Sequence, residues 1–152
     1  MPAQLVAPDH PLLARGCHLI PEEDSEWDLL KSFVETDLIP AVVQHRGVGM
    51  AANQLGMPIR VFVINHGGRQ IVCVNPSILS HGDDKETSVE GCLSLPGVRV
   101  PKARWTRIRV RYWTLERGLK EHYMSGMQAR IFQHELDHLN GILITENTDA
   151  SS

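Results

Sequence analysis

At 152 residues and 42% hydrophobic content, the chain is long enough to bury one sizeable core and too short for two comfortable domains, so residues 1–152 are read as a single domain. Fifteen basic against 18 acidic residues leave a formal charge of −3, which excludes a broad electrostatic field for nucleic acid or an anionic membrane. Cys17, Cys73 and Cys92 are an odd set without a secretory signal, which argues against a disulfide framework and for a reducing compartment.

Residues 1–20 contain Asp9, His10 and several prolines but no unbroken apolar run, so no targeting segment is expected there. No apolar stretch approaches the roughly 20 residues of a spanning helix. The expectation is a soluble, cytoplasmic protein without direct nucleic-acid or membrane contact.

Across residues 24–44, Trp27, Leu30, Phe33, Val34, Leu38 and Val42 recur near helical spacing. This predicts a helix of about four turns, capped by Asp24 or Ser25 and broken at Pro40. Residues 47–56 are punctuated by glycine. Pro58 then leads into Ile59-Arg60-Val61-Phe62-Val63-Ile64, a strand ended by Asn65-His66-Gly67-Gly68, with Ile71-Val72-Cys73-Val74 as its hairpin partner. Asn75-Pro76 is expected to close that partner, with a short further strand over 77–80 and an exposed segment up to Glu90.

Ile108, Val110 and Tyr112 alternate with Arg107, Arg109 and Arg111, predicting a half-buried strand with a basic outer face, followed by a turn at Glu116-Arg117-Gly118. Residues 125–139 return to helical spacing through Met127, Ile131, Leu136 and Leu139, with Gly141 placed to end the helix. The pattern predicts an α+β fold with antiparallel sheet.

The last helix carries the chemistry. His134-Glu135-Leu136-Asp137-His138 sets two imidazoles four residues apart, hence on one helical face where they can share a metal ion. Glu135 beside them is a candidate general base, able to take a proton from an attacking water and pass it on. A catalytic ion usually has three protein ligands and an open position. A third histidine further along fails, because Ile144 stands where it is needed, and Glu146 is too near to come from a separate helix. Cys92, in Glu90-Gly91-Cys92-Leu93-Ser94, is a candidate third ligand, although a free cysteine is also commonly a small buried apolar residue. Cys73 and Cys17 read as structural.

Three segments together resemble the peptide deformylases: Gly47-Val48-Gly49-Met50-Ala51-Ala52-Asn53-Gln54, Glu90-Gly91-Cys92-Leu93-Ser94 and Gln133-His134-Glu135-Leu136-Asp137-His138. The resemblance implies antiparallel sheets packed around a central helix bearing His134 and His138. It implies Cys92, His134 and His138 as ligands of ferrous iron, with zinc, nickel or cobalt as substitutes, and Glu135 as acid and base. It implies Gln54 and the Leu93 N–H as donors to the oxyanion. Gly49 and Gly91 would pair with extended substrate through their backbones, while Val48, Met127 and Ile131 would line the pocket for methionine. Glu90, Arg104 and Asp137 match a network behind the ligands.

The implied reaction is hydrolysis of the N-formyl group from the initiator methionine of nascent chains, releasing formate. A metallopeptidase cutting internal bonds and a non-catalytic metal-binding domain are the alternatives. Met50 stands where leucine is common, Ile144-Thr145-Glu146 replaces a usual aromatic and acidic ending, and residues 1–46 match poorly. Little chain follows the last helix, so the C-terminal helix that some bacterial deformylases use on the ribosome is not expected at full length, leaving transient ribosome proximity as the implied association.

Overall fold

The computed structural model describes residues 4–145. Glu146 lies outside the described residues. Helices α1 (Asp24–Phe33) and α2 (Ile39–Gln44) precede strands β1 (Gly49–Ala51), β2 (Val61–His66), β3 (Arg69–His81), β4 (Lys85–Cys92), β5 (Leu95–Trp105), β6 (Arg107–Trp113) and β7 (Leu119–Ser125), and α3 (Gly126–Leu139) follows. Five strands form an antiparallel sheet in the order β1-β2-β3-β6-β7, and β4 and β5 form a separate antiparallel hairpin.

The large sheet lies between two helical layers because β2 is apolar on both faces. Val61 and Val63 pack with Trp27, Leu30, Phe33, Val34 and Leu38 on one side. Phe62 and Ile64 pack with Ile131, Phe132 and Leu139 of α3 on the other, together with Ile108, Val110, Tyr112 and Met124. Phe62 and Phe132 meet edge to face with centroids 5.0 Å apart. The predicted alternation in β6 holds: Ile108, Val110 and Tyr112 are buried and the three arginines are exposed. This is the expected α+β fold with antiparallel sheets, α3 packing against β1, β2, β6 and β7 and also meeting β5 of the hairpin.

Several local expectations are corrected. The expected caps Asp24 and Ser25 are already helical, and Asp24 and Glu26 occupy the first turn, where carboxylates oppose the helix dipole. Pro40 does not break the path. Residues Val34–Leu38 widen into a π turn, in which the Ile39 N–H donates to Val34 O, and Pro40 falls at the start of α2, where a missing N–H is tolerated.

Nor does Asn75-Pro76 end a strand. The register shifts between Val74 and Ser77, so proline falls where the ladder is already interrupted. Asn75 takes φ 49° and its side chain bonds both the N–H and the carbonyl of Ile20. Asn65 and His66 stay in β2, leaving Gly67 and Gly68 as the turn. The segment leading to Glu90 is largely exposed as expected, yet it is a strand, β4, paired with β5.

Candidate active site

Each half of the site comes from a different element. Cys92 ends β4, and His134 and His138 lie on α3. Among the described residues these three form the group whose ligand-capable atoms all lie within 4.8 Å of one another. Cys92 Sγ is 3.2 Å from His138 Nε2, and the two imidazole centroids are 5.1 Å apart.

Behind them sits a buried ionic network. His134 Nδ1 donates to Glu90 Oε1 at 2.9 Å, leaving its other ring nitrogen for the cluster. Arg104 donates to both oxygens of Glu90, at 2.9 and 2.8 Å, and to Asp137 at 2.5 Å. The expected trio of Glu90, Arg104 and Asp137 is therefore brought together, and the Arg104–Glu90 pair is almost fully buried. Arg130 also grips Glu90 Oε2, at 2.5 Å, and donates to the carbonyls of Lys102 and Glu86. Sequence reasoning missed Arg130, although its position four residues before His134 puts it on the same face of α3. Burial alone raises the Glu90 carboxyl, but hydrogen bonds from Arg104 and His134 and their charges hold it well below the usual carboxylate range.

Glu135 is buried, and Oε1 has no hydrogen-bond partner among the described residues. Burial pushes its carboxyl up to about 7, outweighing the neighbouring charges of His134 and Arg104. Burial, with the charges of His134 and Arg104, pushes His138 down to about 3. Burial opposes protonation of His134 too, but hydrogen bonds with Cys92 and Glu90 carry it up to about 10. Cys17 and Cys73 differ from Cys92 in place: Cys73 is sealed in the core and its thiol is pushed up by burial, and burial pushes Cys17 up to about 11. Neither is a ready thiolate.

Gln54 lies in the helical turn Ala52–Leu55 that follows β1. Its Oε1 accepts the Ala51 N–H at 2.9 Å, which fixes the amide so that Nε2 faces Ser94 Oγ at 2.9 Å and Cys92 Sγ at 3.9 Å. Ser94 was not singled out from sequence, although it stands two residues from Cys92. Asn53, next to Gln54, is fully buried and its Nδ2 donates to the carbonyls of His138 at 2.7 Å and Leu12 at 3.2 Å.

The group opens into a cleft of about 750 Å³. All the residues expected to meet substrate line it: Val48, Gly49, Gly91, Met127 and Ile131, together with Leu93 and Gln54. Val48 and Met127 are about half exposed, at 49% and 50%, whereas Ile131 is buried. At Gly49 the close neighbour is the protein itself: a Cβ there would stand 2.8 Å from Glu135 Oε2 and 2.9 Å from Ile131 Cγ2. At Gly91 a Cβ would meet Arg99 Nη1 at 3.5 Å and Val98 O at 3.6 Å, ordinary contact distances.

A soft thiolate position and two imidazoles, oriented from behind by Glu90, are a donor set suited to a divalent transition metal. The sequence matches the family described as polypeptide deformylase over residues 2–152. Peptide deformylase 1 of Prochlorococcus marinus is 37% identical over 135 residues, covering 82% of this chain and 70% of that protein. The crystal structure of peptide deformylase from Thermotoga maritima superposes with a TM-score of 0.89 at 35% identity, covering 95% of each chain. A Met-Ala-Ser-bound class I type b peptide deformylase from Acinetobacter baumannii superposes with a TM-score of 0.83 at 30% identity, over 94% of this chain and 96% of that one. By sequence along nearly its whole length and by fold, the chain belongs to the polypeptide deformylase family, metal-dependent enzymes that remove the N-formyl group from nascent polypeptides.

Proposed function

We propose that Cys92, His134 and His138 hold ferrous iron, with zinc, nickel or cobalt able to replace it, and that Glu135 is the acid and base of deformylation. The observation that carries this is the pairing of a three-ligand cluster within 4.8 Å with a buried, incompletely bonded carboxylate on the same helix. An ion held by these three residues would supply Lewis acidity toward water at neutral pH. The residues do the rest.

The formyl-methionine enters the cleft with its side chain toward Val48, Met127 and Ile131, and its backbone runs beside Gly49 and Gly91. Glu135 accepts the proton of the attacking water. Gln54 Nε2 and the Leu93 N–H donate to the oxygen of the formyl carbonyl as it gains charge. Ser94 aligns the Gln54 amide for that purpose, through the 2.9 Å contact. As the C–N bond breaks, Glu135 delivers its proton to the leaving nitrogen, and formate and a free methionyl amine depart. Burial supports this exchange, since it raises the Glu135 carboxyl above the usual carboxylate range and so favours its holding a proton.

Glu90, Arg104, Asp137 and Arg130 hold the ligands in place. The Met-Ala-Ser held by the Acinetobacter relative supports a methionine-first peptide as occupant of the cleft. We place this work in the cytoplasm, in transient proximity to the ribosome where formylated chains emerge. No helix among the described residues is long and apolar enough to cross a membrane.

The test is formate release from a formyl-Met peptide by protein loaded anaerobically with iron, beside nickel-loaded protein and Glu135→Gln. Release that needs both metal and Glu135 upholds the assignment. No release from folded, metallated protein overturns it.

A further inference from the structure

The cleft carries two cations that the chemistry above does not use. Arg46 precedes Gly47 on the β1 side, and Arg99 lies on β5 of the hairpin; both line the cleft and both are exposed. Arg99 is paired in register with Gly91, and its Nη1 lies 3.5 Å from where a Cβ on Gly91 would stand, so the guanidinium rests over the wall beside which substrate backbone runs. Arg46 has φ 55°, an uncommon conformation for a residue with a side chain, at the step where the chain turns from α2 toward β1.

Among the described residues, neither arginine makes an ion pair or a side-chain hydrogen bond to an acid. The acids that line the cleft are Glu90 and Glu135. Glu90 is saturated by Arg104, Arg130 and His134, and Glu135 is buried. The other exposed residues that line the cleft, among them Val48, Ser88, Val89, Pro96, Gly97 and Met127, carry no charge. The exposed mouth is therefore cationic although the whole chain is net negative. The arginine row on β6 is different, because Glu121 bridges Arg109 and Arg111 there.

We infer that Arg46 and Arg99 form a specificity subsite favouring formylated peptides with a carboxylate side chain within the two residues that follow formyl-methionine. This rests on the deformylase reading of the cleft. Exposed charge pairs are weak and screened, so each arginine contributes a modest factor and the effect falls on binding more than on the chemical step. The preference is expected in KM, at about three- to tenfold for aspartate over lysine at low ionic strength.

The experiment compares kcat and KM for formyl-Met-Ala-Asp-amide, its Asn analogue and its Lys analogue, then the same exchange at the second residue, at low and high salt. The amide removes the terminal carboxylate, so only the side chain differs. The inference expects Asp above Asn above Lys in at least one position, through KM, with the difference shrinking as salt rises. In the Arg46→Gln/Arg99→Gln double variant the ratio should collapse toward one, and Arg46→Lys/Arg99→Lys should retain most of it. Equal kcat/KM for the three peptides, or a preference that persists in the glutamine double variant, overturns the inference while leaving the deformylase reading intact. Failure to deformylate any of the peptides sinks that reading, and this subsite with it.

Discussion

At Glu135 the burial that would suit the proposed proton carrier also strains the folded protein. A carboxyl raised to about 7 from its ordinary 4.5 is favoured in its protonated form, so its contribution to stability is complete below about 4.5 and is lost as pH rises through 7. Metal-free Glu135→Gln should therefore be more stable than the metal-free parent at pH 8, by about 3 kcal/mol, and should lack that pH dependence. Urea unfolding with chelator present tests this; parallel pH profiles for the two proteins would refute it. In the metal-loaded enzyme the same substitution should lower kcat by about 10² to 10⁴ while metal content holds. Cys92→Ala should lose the metal, whereas Cys73→Ala and Cys17→Ala should keep it, by elemental analysis. His134, Glu135 and His138 were legible because helical period and ligand spacing coincide in five residues. Ser94 and Arg130 were not, since a hydroxyl holding an amide, or a second arginine on Glu90, becomes visible only when distant elements meet.

Hairpin β4–β5 is tied to α3 by charge: Glu90 and Arg104 come from the hairpin, Arg130, His134 and Asp137 from the helix. Arg104→Met leaves the buried Glu90 carboxylate and the partly buried Asp137 short of a partner and should cost about 3 to 5 kcal/mol, with metal affinity weakened about 10- to 100-fold. Denaturant unfolding and a competitive chelator titration measure the two; unchanged stability would mean that the network is dispensable. Pro40→Ala makes the opposite kind of claim. Because the π turn has already moved Pro40 to the start of α2, alanine there should change stability by less than about 1 kcal/mol, not return the roughly 3 kcal/mol of a proline relieved from a helix interior. Strand β6 and helix α3 were legible from apolar period, and β2 as an apolar run bounded by turn residues. The hairpin was not, because outward residues on both faces of β4 leave no alternation to read. Pro40 and Pro76 misled for one reason: a local breaker ends an element only when no π turn or register shift absorbs it.

On the scale of the whole molecule, the α3 layer that carries the candidate site rests on the sheet through Phe132 against Phe62. Phe132→Ala should cost about 3 to 5 kcal/mol and loosen α3, read as a lower Tm. The α+β class was legible because strand and helix periods are separable in this sequence, but the division into a five-stranded sheet and a detached hairpin depends on pairings that no local pattern encodes. That division also sets an order in time. Gln54 meets Cys92 across 38 residues, Cys92 meets His138 across 46, and Asn53 meets His138 across 85, so the pocket closes only after the most distant parts of the chain have found one another. Non-local contacts form late in folding. Metal capture is thus expected to trail the recovery of helix and sheet during refolding, and an ion present from the start should speed no early phase but slow the final unfolding.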